Sequence, residues 1–293
     1  MSNSISNNSF NSAFFLDRTN SLLGQSIDRL SSGVNDVEST SANAVSITAK
    51  LTGQNARIQA ANTNVQNATS YLQAADGFAG NISDVLSRMS ELATMVQDPT
   101  KSASDIADYG TEFTQLQTQL RDTIGGSTSA IGGAYDISSP EGSFNGDAIF
   151  GSTAASAVQV GPEPADKLTI PSMNLQTGAM LSLIQQDSAG NFTLNITSAS
   201  ASTNVSSAQD QVSSIDAAMG GASASLDRAS AQLTTQSQNA ENTISSIQDV
   251  DVAAESTRLA KYQILTQATT AMMAQQQQDP KAILNLLSAI QTK

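Results

Sequence analysis

Apolar residues fall in heptad steps over two long stretches, one toward each end of the chain, and the pattern breaks down between them. Near the start they occur at Leu16, Leu23, Ile27, Leu30, Val34 and Val37, where the steps after the first gap are 4, 3, 4 and 3. Such spacing marks the a/d seam of a helix packed on another helix. Ser31-Ser32-Gly33 interrupts it, and a glycine costs roughly 1 kcal/mol inside a helix, so a joint is expected there. A second seam runs from Ala44 through Ile47, Leu51, Ile58, Val65, Leu72, Ile82, Leu86 and Met89 to Val96. It predicts one helix over 44–97, about 80 Å long at 1.5 Å per residue, ended by Asp98-Pro99. A shorter seam, Ile106, Tyr109, Phe113, Leu116, Leu120 and Ile124, predicts a helix over 104–124. Gly125-Gly126 closes that helix, and its short connection folds it back antiparallel on the preceding one.

From 125 to 203 the helical period is lost. Gly132-Gly133, Pro140, Gly146, Gly161-Pro162 and Pro171 separate short alternating runs at 157–160, 167–170 and 191–196. The first two runs flank Gly-Pro-Glu-Pro-Ala-Asp at 161–166, which reads as a hairpin loop. A small antiparallel sheet is expected, within a β-rich segment spanning 135–200. The helical period then returns over 205–248, carried by Val205, Val212, Ile215, Met219, Ala222, Leu226, Ala229 and Leu233. A final amphipathic segment covers roughly 253–278, and Asp279-Pro280 is expected to restart a short helix through Ile283-Leu284-Asn285-Leu286-Leu287. No proline occurs before Pro99 or between Pro171 and Pro280. Each proline would cost about 3 kcal/mol in a helix interior, so the distribution permits very long helices at both ends. The predicted fold class is mainly α: an elongated rod of heptad-patterned helices from both termini, with a small antiparallel β-hairpin region in mid-chain.

Composition narrows the chemistry. The chain has no His and no Cys, which removes a His general base, a thiolate nucleophile, a Cys/His zinc site and any disulfide. Asp249 and Asp251 come nearest to a carboxylate pair, but no acid–base constellation surrounds them, and an intrahelical, solvated role is the better reading. The expectation is a protein that is not an enzyme, with no catalytic, cofactor or metal site. A net charge of −13 with 13 scattered basic residues leaves no footprint for nucleic acid or an anionic membrane. No run approaches the roughly 20 apolar residues of a membrane span. The first residues lack a basic region, and Ala13-Phe14-Phe15-Leu16 is too short for a signal-peptide core. The expected protein is therefore either cytosolic or exported by a route that removes nothing.

Many seam positions are alanine, which packs closely but buries little area. The two terminal segments alone would make marginal helices, so neighbouring molecules are expected to complete them. Self-assembly is favoured on this pattern over a self-contained bundle that binds some other partner.

Six or more short motifs, in order and at similar spacing, resemble those of bacterial flagellins across nearly the whole chain. Arg29-Leu-Ser-Ser-Gly33 is similar to the flagellin RLSSG signature, and Ser87-Arg-Met-Ser-Glu-Leu-Ala93 to the RVRELA segment of its long first helix. Ser143-Phe-Asn-Gly-Asp147 resembles the FNG turn, and Val158-Gln-Val-Gly161 with Lys167-Leu-Thr-Ile170 the inner rod hairpin. Ser246-Ile-Gln-Asp-Val-Asp251, Lys261-Tyr-Gln-Ile-Leu265 and Ile283-Leu-Asn-Leu-Leu287 follow the order IEDAD, KAQIL, VLSLL. The resemblance implies a short flagellin with core and inner-rod layers only: residues 1–40 with 253–293 as the terminal coiled-coil filament core, and 41–252 as the inner rod domain.

The same resemblance implies a structural subunit that self-polymerises into the bacterial flagellar filament for motility. It implies export through the flagellar type III apparatus and an extracellular filament location, without a cleaved signal peptide. Its implied partners are copies of itself, a flagellar export chaperone, the filament cap and hook-associated proteins. On this basis Ile5, Phe10, Phe14, Phe15, Leu22, Leu265, Met272, Leu284 and Leu287 are expected at contacts between subunits. Arg88, Leu92 and Glu112 align with a patch through which many flagellins are recognised by an innate immune receptor. A hook–filament junction protein shares the paired terminal helices and is the alternative, although its usual N-terminal signature differs from RLSSG.

Overall fold

A computed structural model describes residues 2–35, 42–151 and 156–291, with the backbone alone for 2–10, 42–43 and 276–291. The elements in chain order are α1 (Ser2–Ser32), α2 (Ala42–Met95), α3 (Ala103–Ile124), α4 (Thr128–Ile131), β1 (Ser143–Phe144), β2 (Asp147–Ala148), β3 (Ser156–Gln159), β4 (Lys167–Ile170), α5 (Gly178–Ile184), α6 (Ala201–Gln248) and α7 (Val252–Gln291). They form two compact units, one of Gln54–Gln238 and one of Met1–Gly53 with Asn239–Lys293.

The larger unit is organised by a stripe on α2. Ile58, Ala61, Val65, Ala68, Leu72, Ala75, Ala79, Ile82, Leu86, Met89 and Ala93 follow strict 3–4 steps, and all are buried. A matching stripe on α6 runs through Val205, Ala208, Val212, Met219, Ala222, Leu226 and Leu233. The alanines let two backbones approach closely while the larger residues fill the space beside them. Direction is fixed by two side-chain bonds: Ser230 Oγ meets Asn62 Oδ1 at 3.3 Å and Ser237 Oγ meets Asn55 Oδ1 at 2.7 Å. Seven residues up one helix matches seven down the other, so the pair is antiparallel. Helix α3 begins with a capping box between Ser102 and Asp105 and ends at Gly125, whose φ is 67°. A Cβ there would sit 2.6 Å from the Pro140 side chain, so both conformation and space call for glycine. Phe113 and Leu120 of α3 join the common core.

The middle segment holds two two-stranded antiparallel sheets, β1–β2 and β3–β4, with Ser156 opposite Ile170 and Gln159 opposite Lys167. The hairpin around 161–166 is therefore present as its sequence predicts. Asn145 and Gly146, with φ of 53° and 89°, make the tight β1–β2 turn. The alternating run 191–196, however, forms no strand, although Leu194 and Ile196 are buried. Its backbone pairs only with the short segment 185–187, through a Gln186–Phe192 bridge in which Thr193 N donates to Gln185 O (3.0 Å) and Asp187 N to Asn191 O (2.9 Å), and side chains hold the rest. The Gln117 amide donates to both Leu183 O (2.9 Å) and Leu194 O (3.1 Å), and Asp187 accepts from the Ala189 and Asn191 amides. Helix α5 also falls within the segment expected to be β-rich, and its Met180, Leu183 and Ile184 are buried.

Arg121 ties this region together. Its guanidinium is buried and donates to the carbonyls of Ile131 (2.8 Å), Ile184 (3.0 Å) and Gly132 (2.7 Å). Burial pushes its pKa down from the ordinary arginine value, yet three carbonyl acceptors keep the cation hydrogen-bonded.

In the smaller unit α1 ends at Ser32 and Gly33 takes φ +72°. The chain leaving α1 pairs with the chain entering α7: Asn35 N donates to Gln248 O at 2.6 Å and Val250 N to Gly33 O at 3.0 Å. Asp251 then caps α7 by accepting from the amides of Ala253 (3.0 Å) and Ala254 (3.1 Å). Helices α1 and α7 pack along one another, and they run antiparallel, because Ser26 near the end of α1 meets Glu255 near the start of α7. Helix α7 continues through Pro280 rather than restarting there. A proline removes only one intrahelical donor, which a 40-residue helix can lose without ending.

Replacing Arg121 with Met should take the donor from the Ile184 and Gly132 carbonyls, Ile131 O keeping the Gln186 amide, and cost on the order of 3 kcal/mol. Urea unfolding checks this, with Arg88→Ala as a surface control expected to unfold near the parent's midpoint, because exposed ion pairs contribute little. Equal midpoints for Arg121→Met and the parent would remove Arg121 as the organiser of the middle segment.

Candidate interaction surfaces

The seam between α1 and α7 is unusual in what it buries. On α7 the less exposed positions are Glu255, Leu259, Tyr262, Thr266, Thr269 and Met273, in steps of 4, 3, 4, 3 and 4. On α1 they include Ser12, Leu16, Thr19, Leu22, Leu23, Ser26, Arg29 and Leu30. Half of this seam is polar. Ser26 and Glu255 are both buried, and the Ser26 hydroxyl donates to Glu255 Oε1 at 2.5 Å. Arg258 Nη1 donates to the other carboxylate oxygen at 3.0 Å. The Ser26 hydroxyl first, then Arg258 and Arg29, hold the Glu255 carboxyl below its ordinary pKa. The buried Thr266 hydroxyl finds no hydrogen-bond partner among the described residues. Ala240 is the one buried apolar residue among this unit's described side chains.

Large apolar residues face outward instead. Phe14 and Phe15 are each 59% exposed, with ring centroids 6.5 Å apart in an edge arrangement. Ile27, Ile264, Leu265 and Met272 are also exposed. At 100° per residue, Phe14 and Ile264 lie opposite the seam, while Phe15, Leu265 and Met272 lie on its flanks. Leu265 and Met272 are one heptad apart and share a flank.

The sequence-predicted contact residues divide accordingly. Phe14, Phe15, Leu265 and Met272 are presented to solvent, whereas Leu22 is half-buried in the seam. Ile5 and Phe10 fall in α1, and Leu284 and Leu287 in α7, with side chains outside the described residues. Ile264 and the Ser26–Glu255 pair escaped sequence reasoning. A search for apolar heptads passes over a seam in which Glu255, Thr266, Thr269 and Ser26 share the inward positions with Leu, Tyr and Met.

A second surface lies in the larger unit. Arg88 of α2 donates through Nε to Glu112 Oε1 (2.6 Å) and through Nη2 to Glu112 Oε2 (3.0 Å). Its Nη1 reaches Glu91 Oε2 at 2.8 Å. These bonds raise the Arg88 pKa and lower that of Glu112. Leu92 is fully buried, so of the three residues Arg88, Leu92 and Glu112 only the charged two meet solvent. The cluster joins α2 to α3 with nearly balanced charge.

Catalytic groupings are scarce. Asp251 serves as the α7 cap and Asp249 accepts from the Ser245 hydroxyl. Among the described residues no three His, Cys, Asp or Glu side chains converge as metal ligands. No described helix is long and apolar enough to cross a membrane.

Comparison with known proteins agrees at both ends of the chain. The family described as the bacterial flagellin N-terminal helical region matches residues 4–132, and the bacterial flagellin C-terminal helical region matches 202–287. A flagellin of Bacillus subtilis is 28% identical over 293 aligned positions, covering 93% of this chain and 95% of that protein. A flagellin of Listeria innocua is 26% identical over 227 positions, 73% of this chain and 74% of its own length. A B-type flagellin of Pseudomonas aeruginosa is 53% identical over a 55-residue stretch, 19% of this chain and 11% of that protein.

The Glu255 carboxyl gives the α1/α7 pair a pH dependence of known sign. Its folded pKa is depressed, so its contribution is fully present above the ordinary value of about 4.5 and is lost as pH falls through the folded pKa. The stability of the α1/α7 pair, followed by circular dichroism, should therefore fall as pH drops below the ordinary carboxyl value, and less steeply in Glu255→Gln. Identical slopes would mean that Ser26–Glu255 does not govern the seam.

Proposed function

The chain belongs to the bacterial flagellin family, the family of flagellar filament subunits, and from that premise we propose that it polymerises with copies of itself through the outward faces of α1 and α7. One observation carries this reading. The helix pair buries polar groups between its own helices and leaves Phe14, Phe15, Ile264, Leu265 and Met272 exposed. Covering the exposed 41–66% of each such side chain is worth about 1–2 kcal/mol, which a neighbouring subunit supplies.

In this proposal residues 1–40 with 253–293 form the filament core and 41–252 the inner rod domain. Ile5, Phe10, Leu22, Leu284 and Leu287 join the exposed residues at subunit contacts. The subunit leaves the cell through the flagellar type III apparatus with an export chaperone, assembles beneath a filament cap beyond the hook-associated proteins, and serves motility outside the cell. Its role is structural rather than catalytic.

The Arg88–Glu112 surface supports a further contact, with an innate immune receptor that reads the inner rod. Leu92 acts there from beneath, by holding α2 in place under Arg88.

Electron microscopy of purified protein, after seeding or salting-out, should show filaments. Replacing Phe14 and Leu265 together with Ser, side chains 59% and 41% exposed, removes about 1.5–3 kcal/mol of burial from the contact, and the critical concentration should rise at least about tenfold. Filaments of the double variant at the parent's critical concentration would overturn this interface. For the receptor contact, monomer should activate a receptor reporter and Arg88→Ala should weaken it; a silent parent monomer removes that part of the proposal.

A further inference from the structure

Methionine sulfur is distributed unevenly over this chain. Met89, Met173, Met180 and Met219 are sealed in the core of the larger unit. Met95 and Met273 are half-buried. Met272, at 60% exposure, is the one exposed methionine among the described side chains. It stands one heptad beyond Leu265 on the same flank of α7, outside the seam with α1. The most accessible thioether among the described residues therefore sits where the filament reading requires an apolar surface.

We propose that Met272 is a peroxide-sensitive modification site, and that its oxidation to the sulfoxide holds the subunit back from assembly. This inference rests on the filament reading. In the step itself a sulfur lone pair attacks one oxygen of hydrogen peroxide. The S–O bond forms as the O–O bond breaks, and the departing oxygen takes up the proton and leaves as water. Sulfur loses two electrons and peroxide gains them. The product is a polar, chiral side chain in place of a flexible apolar one. An S=O group pressed against an apolar neighbour loses its water without gaining a donor, which opposes the contact.

Position separates Met272 from its neighbour. Met273 faces the α1/α7 seam, so its oxidation would loosen the helix pair, whereas oxidation at Met272 leaves the pair folded and alters only the outward flank. In assembled material the flank is covered, so Met272 becomes protected once subunits have joined.

The test is brief treatment of full-length monomer and of preformed polymer with hydrogen peroxide, followed by peptide mass spectrometry and seeded polymerisation. In the monomer Met272 should gain one oxygen at least roughly tenfold faster than Met89, Met180 or Met219, and in polymer that rate should fall. Oxidised monomer should keep its helical circular dichroism but fail to extend seeds. Met272→Leu should extend seeds with and without peroxide, and Met272→Gln, a polar stand-in, should fail without it. Normal extension by monomer shown to be oxidised at Met272, or oxidation of Met272 no faster than of the core methionines, would overturn the inference. Untreated parent protein that never polymerises would instead overturn the filament reading on which the inference stands.

Discussion

A helix pair can bury only the stripe that each helix turns to the other, and in α1/α7 that stripe carries Ser26, Glu255, Thr266 and Thr269. Everything distinctive about the smaller unit follows from this constraint. A seam of leucines would gain about 0.8 kcal/mol for every methylene removed from water. A hydroxyl–carboxylate pair instead exchanges hydrogen bonds with water for a bond within the protein and returns about 1.5–3 kcal/mol at best. What the Ser26–Glu255 bond adds is position. It matches one place on α1 to one place on α7, as a polar residue at a single seam position does in coiled coils. The Val34–Asp249 bridge fixes the same alignment from the junction side.

The larger unit shows the opposite solution. Its α2 stripe runs unbroken from Ile58 to Ala93, and α6, α3 and the middle segment close over it. The polar groups inside it are few, and several have their hydrogen bonds met by long side chains rather than by strands. Arg121 serves three carbonyls and Gln117 serves two. Gln176 donates to Gly125 O at 3.0 Å. With these acceptors occupied, the chain between α3 and α6 packs as loops and short helices without a large sheet. That answers the requirement that buried backbone groups find partners.

The long helices were legible because their signal is repetitive. Eleven apolar residues in 3–4 steps, with no proline among them, leave no competing reading of 58–93. Stops were legible too where chemistry demands one residue type, as at Gly33 and Gly125. The middle segment was half legible. The 157–160 and 167–170 runs had a loop between them to say that they pair. The 191–196 run alternates equally well, but its only backbone partner is the short Gln185-Gln186-Asp187 segment, which carries no alternating signal and pairs through a single bridge. Leu194 and Ile196 are buried as the pattern says, in a backbone held by Gln117 and Asp187. The outward-facing residues were partly legible: Phe14, Phe15, Leu265 and Met272 could be named from a family likeness, while Ile264 could not. Locating the seam requires treating Glu255, Thr266 and Thr269 as inward positions, and hydrophobicity gives no reason to do so.

The physics of the two units leads to different dependences on concentration. A unit with its own core has a stability set by its own contacts. A helix pair with a polar seam and exposed Phe14, Phe15 and Ile264 gains most of its apolar burial only when another molecule arrives, and anything that binds the folded form alone stabilises it by mass action. Its folding and its association are then one equilibrium. A weak seam is what makes this useful: with leucines at 26 and 255 the pair would be stable alone, and its outward residues would add to an already complete fold. With Ser and Glu there, in the proposed filament the contacts of Phe14, Phe15, Leu265 and Met272 with a neighbour would decide whether the helices stay ordered. On that proposal, the residues least needed inside the subunit become the ones on which its order in the assembly depends.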